Sequence, residues 1–242
     1  MTGDELRRLI ARNLSSVNER ILQASGGKLI PLCCVTKYAR DEWVPFLLEA
    51  GASHLAENLL PTGAERFEAL WEQGYRFTRH LIGAQQSRKL KLVPGRFDMY
   101  QAVDREKTAE LLNADLLAQG LKLDVLVQVN IGQEEQKHGV APEEAVDFCG
   151  VFRGRWPALR LRGLMAVPPW PQAYPSDDEF ERGSRDCFRQ MRRLFDTIRA
   201  SHPGSPEIDT LSLGMSLDFV WAIEEGATMV RVGSALFVGL EG

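Results

Sequence analysis

Apolar runs of strand length alternate with helix-patterned segments from residue 29 to the C-terminal region of the chain. That alternation predicts parallel strands joined by helical crossovers, because parallel neighbours need a long connection that returns the chain to the same end of the sheet. The runs read as strands are 29–37, 53–58, 77–83, 97–104, 124–130, 159–167, 210–216 and 229–237. Eight βα units within 242 residues predict a closed (β/α)8 TIM barrel, with an open parallel sheet as the alternative. An extra helix precedes the first strand, since Leu6, Ile10, Leu14, Val17 and Ile21 form one apolar stripe that Gly26-Gly27 ends. Its stripe should pack on the barrel exterior or one end.

Further punctuation fits this scheme. Asp41 reads as the N-cap of a helix running to Ala50 and stopped by Gly51, and Phe188, Met191, Leu194, Phe195 and Ile198 mark the helix after strand six. The long irregular stretch 168–178 carries Pro168, Pro169, Pro171 and Pro175. It reads as a stiff loop over the barrel mouth rather than a proline-rich ligand for another protein.

With 44% apolar residues the chain can bury one sizeable core, and a single domain over 1–242 is expected. The net charge of −4 is spread without a basic stripe, which disfavours nucleic acid as a partner. The charged start Thr2-Gly-Asp-Glu-Leu-Arg-Arg8 has no secretory apolar core, and no stretch is apolar enough to span a bilayer, so a cytoplasmic protein is expected. Cys33, Cys34, Cys149 and Cys187 lack metal-type spacing and read as reduced core thiols, the adjacent pair pointing to opposite faces of a strand. His54, His80, His138 and His202 are scattered without the close pairing of a metal site, and neither a phosphate loop nor a GxGxxG turn is present.

Chemistry is expected at the C-terminal ends of the strands, where Lys37, Asn58, Asp104, Asn130 and Ser216 stand. Lys37 ends the run Leu29-Ile-Pro-Leu-Cys-Cys-Val-Thr36, so its amine surfaces at the edge of an apolar core, a setting suited to Schiff-base formation. The bland alternative is a charge capping a strand end and turned to water. The last two strand exits, Leu211-Ser-Leu-Gly-Met-Ser216 and Val230-Arg-Val-Gly-Ser234, each join a glycine to a hydroxyl residue. Backbone N–H groups freed by glycine, with a serine donor, form a plausible cup for a phosphate dianion. An amine and a dianion cup at one mouth point to an aldehyde that carries a phosphate, and pyridoxal 5'-phosphate is the economical candidate. Arg231, inside the eighth strand, is costly unless it meets a carboxylate or a ligand, the sharper reading being a guanidinium aimed at a pyridine nitrogen.

Taken in order, these residues resemble the pyridoxal phosphate homeostasis protein family, the YggS or PROSC type, over nearly the whole chain. The matching pieces are Val35-Thr-Lys37, Ala56-Glu-Asn58, His80-Leu-Ile-Gly83, Gln86-Ser87 with Lys89, Val103-Asp-Arg105, Val127-Gln-Val-Asn130, Lys137-His-Gly139, Arg162-Gly-Leu-Met-Ala166, Gly214-Met-Ser216 with Asp218-Phe219, and Val230-Arg-Val-Gly233. The resemblance implies a barrel of the alanine racemase N-terminal type holding pyridoxal phosphate on Lys37 as an internal aldimine. It further implies Asn58 beside the cofactor, Met215 packed nearby, Ser216, Gly233 and Ser234 on the phosphate, and Arg231 on the ring nitrogen. Departures are Ala84, Gln85 and Arg88 after the third strand, and Tyr38-Ala39 where a second lysine is often seen. If that lysine passes cofactor on, release kinetics here differ.

Buffering or delivery of the cofactor without substantial catalysis is the expected function, by a monomer whose recipients would be PLP-dependent apoenzymes. Racemases on this barrel take their opposing proton-transfer tyrosine from a second domain, for which this chain offers no segment, so a PLP-dependent amino-acid racemase or related fold-type III enzyme is the alternative. A cofactor-free Schiff-base aldolase is disfavoured, because its lysine is expected on strand six, where Met165 and Ala166 stand.

Overall fold

The computed structural model describes residues 2–134, 137–202 and 207–240. Its strands are β1 (Leu32–Val35), β2 (His54–Glu57), β3 (Thr78–Leu81), β4 (Met99–Val103), β5 (Leu123–Val129), β6 (Leu159–Ala166), β7 (Thr210–Ser212) and β8 (Val230–Val232). They form one eight-stranded sheet in the order β7-β6-β5-β4-β3-β2-β1-β8. Every pairing is parallel, and an isolated parallel bridge from Ser212 to Met229 brings the two outer strands together into a nearly closed barrel. Around it lie α1 (Gly3–Ala24), α2 (Val44–Glu49), α3 (Thr62–Glu72), α4 (Glu106–Ala118), α5 (Ala145–Gly150), α6 (Phe152–Arg155), α7 (Asp177–Ser201) and α8 (Phe219–Glu224).

The extra helix forms as its pattern requires. Thr2 closes a capping box with Glu5, and Ile10, Leu14, Val17 and Ile21 are buried where α1 lies on α2 and α8. Cys33 and Cys34 fall in different apolar clusters, as adjacent strand residues must, and all four cysteines are buried and free. Burial pushes the Cys33 and Cys149 thiols up to about 12, which keeps them protonated and inert.

The strands are shorter than the apolar runs. Leu29 is 92% exposed, outside β1, and Lys37 sits in a turn beyond Thr36 rather than at the strand's last position. At β8 the run continued to 237, but Gly233 leaves the extended region and a 3-10 turn, Ser234–Leu236, follows. The apolar residues there pack outward instead: Phe237 stacks on Trp43 at 5.8 Å, and Asn13 Nδ2 donates to the carbonyls of Leu236 and Val238 at 3.2 and 2.9 Å. A hydrophobic run cannot distinguish a strand from a packed turn.

Three further expectations change. Asp41 caps nothing: a 3-10 turn, Asp41–Trp43, precedes α2, and the Asp41 carboxylate faces Arg66. After β3 the chain makes a 3-10 segment, Ser87–Leu92, instead of an α-helix. The proline stretch contains a 3-10 turn, Pro171–Ala173, and α7 already starts at Asp177, with Ser176 Oγ accepting from Glu179 N–H. Pro168 and Pro169 lean on the β5 exit, where Lys137 Nζ donates to Pro168 O at 3.2 Å.

Candidate functional site

Lys37 is carried by a β-turn, Thr36-Lys37-Tyr38-Ala39, closed by Ala39 N–H donating to Thr36 O at 2.9 Å. The lysine is half-buried, and its Nζ lies 4.8 Å from the Tyr38 ring centre, where the ring face attracts the ammonium. Arg66, projecting from α3, grips both ends of this turn. Its Nη1 donates to Thr36 O at 2.6 Å and its Nη2 to Ala39 O at 3.0 Å. The same Nη1 pairs with the buried Glu57 carboxylate at 2.7 Å, which also accepts from Thr36 Oγ1 at 2.6 Å, while Nε reaches Asp41 at 2.6 Å. A planar guanidinium with five fixed donors suits this task, and a lysine could not satisfy it. Arg66→Met is therefore expected to free the turn and destabilise the fold by about 3 kcal/mol, chiefly by stranding the buried Glu57 charge. Chemical denaturation checks this, and Glu57→Gln in the Arg66→Met background should recover part of the loss.

Asn58 leaves β2 with its Oδ1 buried and, among the described residues, without a hydrogen-bond partner. An orphaned acceptor of this kind is costly and marks a place for a donor from a ligand. Its backbone is fixed by Gln85, whose Nε2 donates to Asn58 O and Gly83 O, each at 2.8 Å. Gly83 approaches so closely that a Cβ there would lie 2.7 Å from Asn58 O. Gln85 thus braces the β2 and β3 exits against each other.

Across β1 lie the two glycine turns. Gly214 has φ +83°, and a Cβ on it would meet Phe219 Cα at 2.7 Å, so only glycine lets the chain turn after β7 and start α8. Beyond it Met215 N–H donates to Asp218 Oδ1 at 2.5 Å, which orients Met215-Ser216. Burial pushes the Asp218 carboxyl up from its ordinary value, against the opposing pull of that N–H and of Arg231. Ser216 Oγ accepts long hydrogen bonds from Gly233 N–H at 3.3 Å and Ala235 N–H at 3.4 Å. Two backbone donors and a hydroxyl therefore converge, while Ser234 is exposed between them. Gly233 sits against Val35, two residues before Lys37: a Cβ there would come 3.3 Å from Val35 O.

Arg231 is buried in the barrel interior, and among the described residues no carboxylate pairs with it. Its Nη1 donates to Ser212 O at 2.8 Å and Ser212 Oγ at 2.7 Å, and Nη2 to Ala166 O at 3.0 Å. The salt bridge considered from sequence is thus replaced by carbonyl and hydroxyl acceptors. Burial pushes the guanidinium down to about 10, which still leaves it a cation at neutral pH. Beneath it Ser212, Gln101, His80 and His54 form a hydrogen-bonded line. The histidines read as scattered therefore include a close pair, His54 Nδ1 and His80 Nε2 at 3.0 Å. Among the described residues no group of three His, Cys, Asp or Glu side chains could hold a metal ion.

Two of the polar strand-end residues serve the scaffold. Asp104 accepts from Arg105 and Thr108 and lies 3.3 Å from His138 Nδ1, and Asn130 bonds the backbone of Glu134 in its own loop. Sequence reading missed Arg66, Gln85, Ser212, Gln101 and Ala235 as parts of the site. Glu57 carried a signal, since it stands in the Ala56-Glu-Asn58 match, but its partner nine residues on did not. The residues fit pyridoxal phosphate by their own chemistry: a primary amine, an unpaired buried acceptor at Asn58, convergent N–H donors for a dianion, and an interior cation.

The alanine racemase N-terminal domain profile matches residues 10–241. The pyridoxal phosphate homeostasis protein of Haemophilus influenzae is 35% identical, covering 94% of both chains. That of Escherichia coli is 36% identical, over 94% of this chain and 95% of the relative. Among solved structures, PipY of Synechococcus elongatus without PLP superposes with a TM-score of 0.81 at 26% identity, covering 94% of this chain and 99% of PipY. PipY with PLP bound gives 0.78 at 24% over the same shares. No helix among the described residues is long and apolar enough to cross a membrane. By its profile match and by curated relatives aligned along nearly their whole length, the chain belongs to the alanine racemase N-terminal domain family and, within it, to the pyridoxal phosphate homeostasis proteins.

Proposed function

We propose that this protein binds pyridoxal 5'-phosphate at the barrel mouth and holds it for vitamin B6 homeostasis, with Lys37 as the covalent anchor. The observation that carries the reading is the clamped Lys37 turn beside the Gly233 end of the donor cup formed with Ser216 and Ala235. The names of the relatives and the PLP-bound PipY structure support the same ligand. When bound, the cofactor would supply an aldehyde carbon open to attack by the Lys37 amine in its neutral form.

The chain's own residues supply the rest. Arg66 holds the Lys37 turn in place, and Asn58 offers its free acceptor. Gly233, Ser216, Ser234 and Ala235 would receive the phosphate, with Met215 alongside. Arg231, a cation whose guanidinium only donates, would hold the ring nitrogen as an acceptor and so weaken the ring as an electron sink. Weak electron withdrawal favours storage over carbanion chemistry. The protein acts as a monomeric single domain in the cytoplasm and hands cofactor to PLP-dependent apoenzymes.

Titration of the purified protein with pyridoxal phosphate should produce a saturable absorption band near 420 nm at one equivalent. Alanine, lysine and other amino acids should show neither racemisation nor decarboxylation above a protein-free control. Robust turnover would instead place it among the fold-type III enzymes, and absence of the band would sink the reading.

A further inference from the structure

The interior line beneath Arg231 has a fixed direction. Arg231 Nη1 can only donate, so Ser212 Oγ accepts from it at 2.7 Å and gives its own hydrogen to Gln101 Oε1 at 2.8 Å. Gln101 Nε2 then faces His80 Nδ1 at 3.0 Å, and an amide nitrogen only donates, so that ring nitrogen carries no proton. The His80 proton is therefore on Nε2, 3.0 Å from His54 Nδ1, which must accept. Every donor points the same way, from the cofactor end of the barrel to its opposite end. There His54, the first residue of β2, lines a cavity of about 310 Å³ with Asn18, Pro31 and Ser53.

We propose that Gln101 and His80 are positioning residues for Arg231: a one-way hydrogen-bond relay through the barrel holds the Ser212 hydroxyl as an acceptor and so aims the guanidinium at the ring nitrogen. The proposal rests on the reading of the mouth given above. A serine hydroxyl rotates freely unless its hydrogen is claimed, and Gln101 claims it. Gln101 is in turn fixed by its second contact, Nε2 to Met229 Sδ at 3.4 Å, and by the bare nitrogen of His80. Burial pushes His80 down to about 3 and lowers His54 as well, so both imidazoles stay neutral, as the relay requires. Nearby ionisable groups are engaged elsewhere: Asp98 by Arg79, Asp218 by Met215 N–H, while Cys33 and Cys34 are kept as thiols by burial.

The test combines histidine NMR of the ligand-free protein with ¹⁵N-labelled pyridoxal phosphate bound to it. In the parent, His80 should show the Nε2–H tautomer, and the bound ring nitrogen an unprotonated, hydrogen-bonded resonance. Gln101→Met keeps length and volume but cannot relay, and His80→Leu likewise. Each should move the ring-nitrogen resonance and weaken binding about five- to tenfold, the net worth of one hydrogen bond. His80→Gln can accept from Gln101 and donate to His54, so it should restore the parent resonance. An Nδ1–H tautomer at His80, or an unchanged ring-nitrogen signal in both Gln101→Met and His80→Leu, would overturn the relay. Should either variant fail to fold, the tautomer and His80→Gln still decide. Failure of the parent protein to bind would instead overturn the reading of the mouth, and with it the positioning role.

Discussion

Lys37→Ala is expected to abolish covalent retention of pyridoxal phosphate while leaving the barrel folded. The lysine lies outside β1, and its ammonium meets the Tyr38 ring, which is itself 86% exposed. A cation–π contact at such a site is worth about 0.5–1 kcal/mol. What shapes the turn is its own backbone bond and the two carbonyls gripped by Arg66, and alanine keeps all of these. Stability should therefore change by less than about 1 kcal/mol. Binding should fall by orders of magnitude, because only noncovalent contacts remain. The 420 nm band and the borohydride-stable mass increment should both vanish, whereas the denaturation midpoint should stay close to the parent's. A Lys37→Ala protein that still formed a reducible adduct would move the anchor to another amine.

Arg231→Ala should have the opposite profile, with stability and binding lost together. Three hydrogen bonds disappear, and the carbonyls of Ser212 and Ala166 and the Ser212 hydroxyl are left buried around a void. Each orphaned buried acceptor costs about 1–3 kcal/mol, and truncation of a large side chain adds a cavity. A loss of about 4 kcal/mol is expected on those grounds, large against the 5–15 kcal/mol typical of a folded domain. Arg231→Lys should recover little, since an ammonium cannot span acceptors on two strands. Urea denaturation reads the first effect, and cofactor titration under native conditions reads the second. A parent-like midpoint in Arg231→Ala would show that the guanidinium does not tie β6, β7 and β8 together.

The architecture was legible because strand period, helix period and turn residues agree along the chain. Eight apolar runs became eight strands, and the stripe from Ile10 to Ile21 became the buried face of α1. Strand ends were not legible. Leu236 and Phe237 are as apolar as β8 itself, and only tertiary contact with Asn13 and Trp43 shows that they belong to the outer layer. At the site, Lys37 and the glycine turns stood out because their chemistry is local. Arg66 did not, since an arginine on an amphipathic helix looks like any solvated charge until α3 is laid beside the Lys37 turn. Gln101, His80 and Ser212 come from β4, β3 and β7, so the line they make exists only once the barrel closes.

Treating the protein with one equivalent of pyridoxal phosphate, reducing it with borohydride and mapping the peptides by mass tests most directly whether the amine on β1's exit turn is the anchor. The expected result is a single phosphopyridoxyl group on Lys37, formed in proportion to the 420 nm band. Labelling confined to another lysine, with Lys37 unmodified at saturation, would contradict the account.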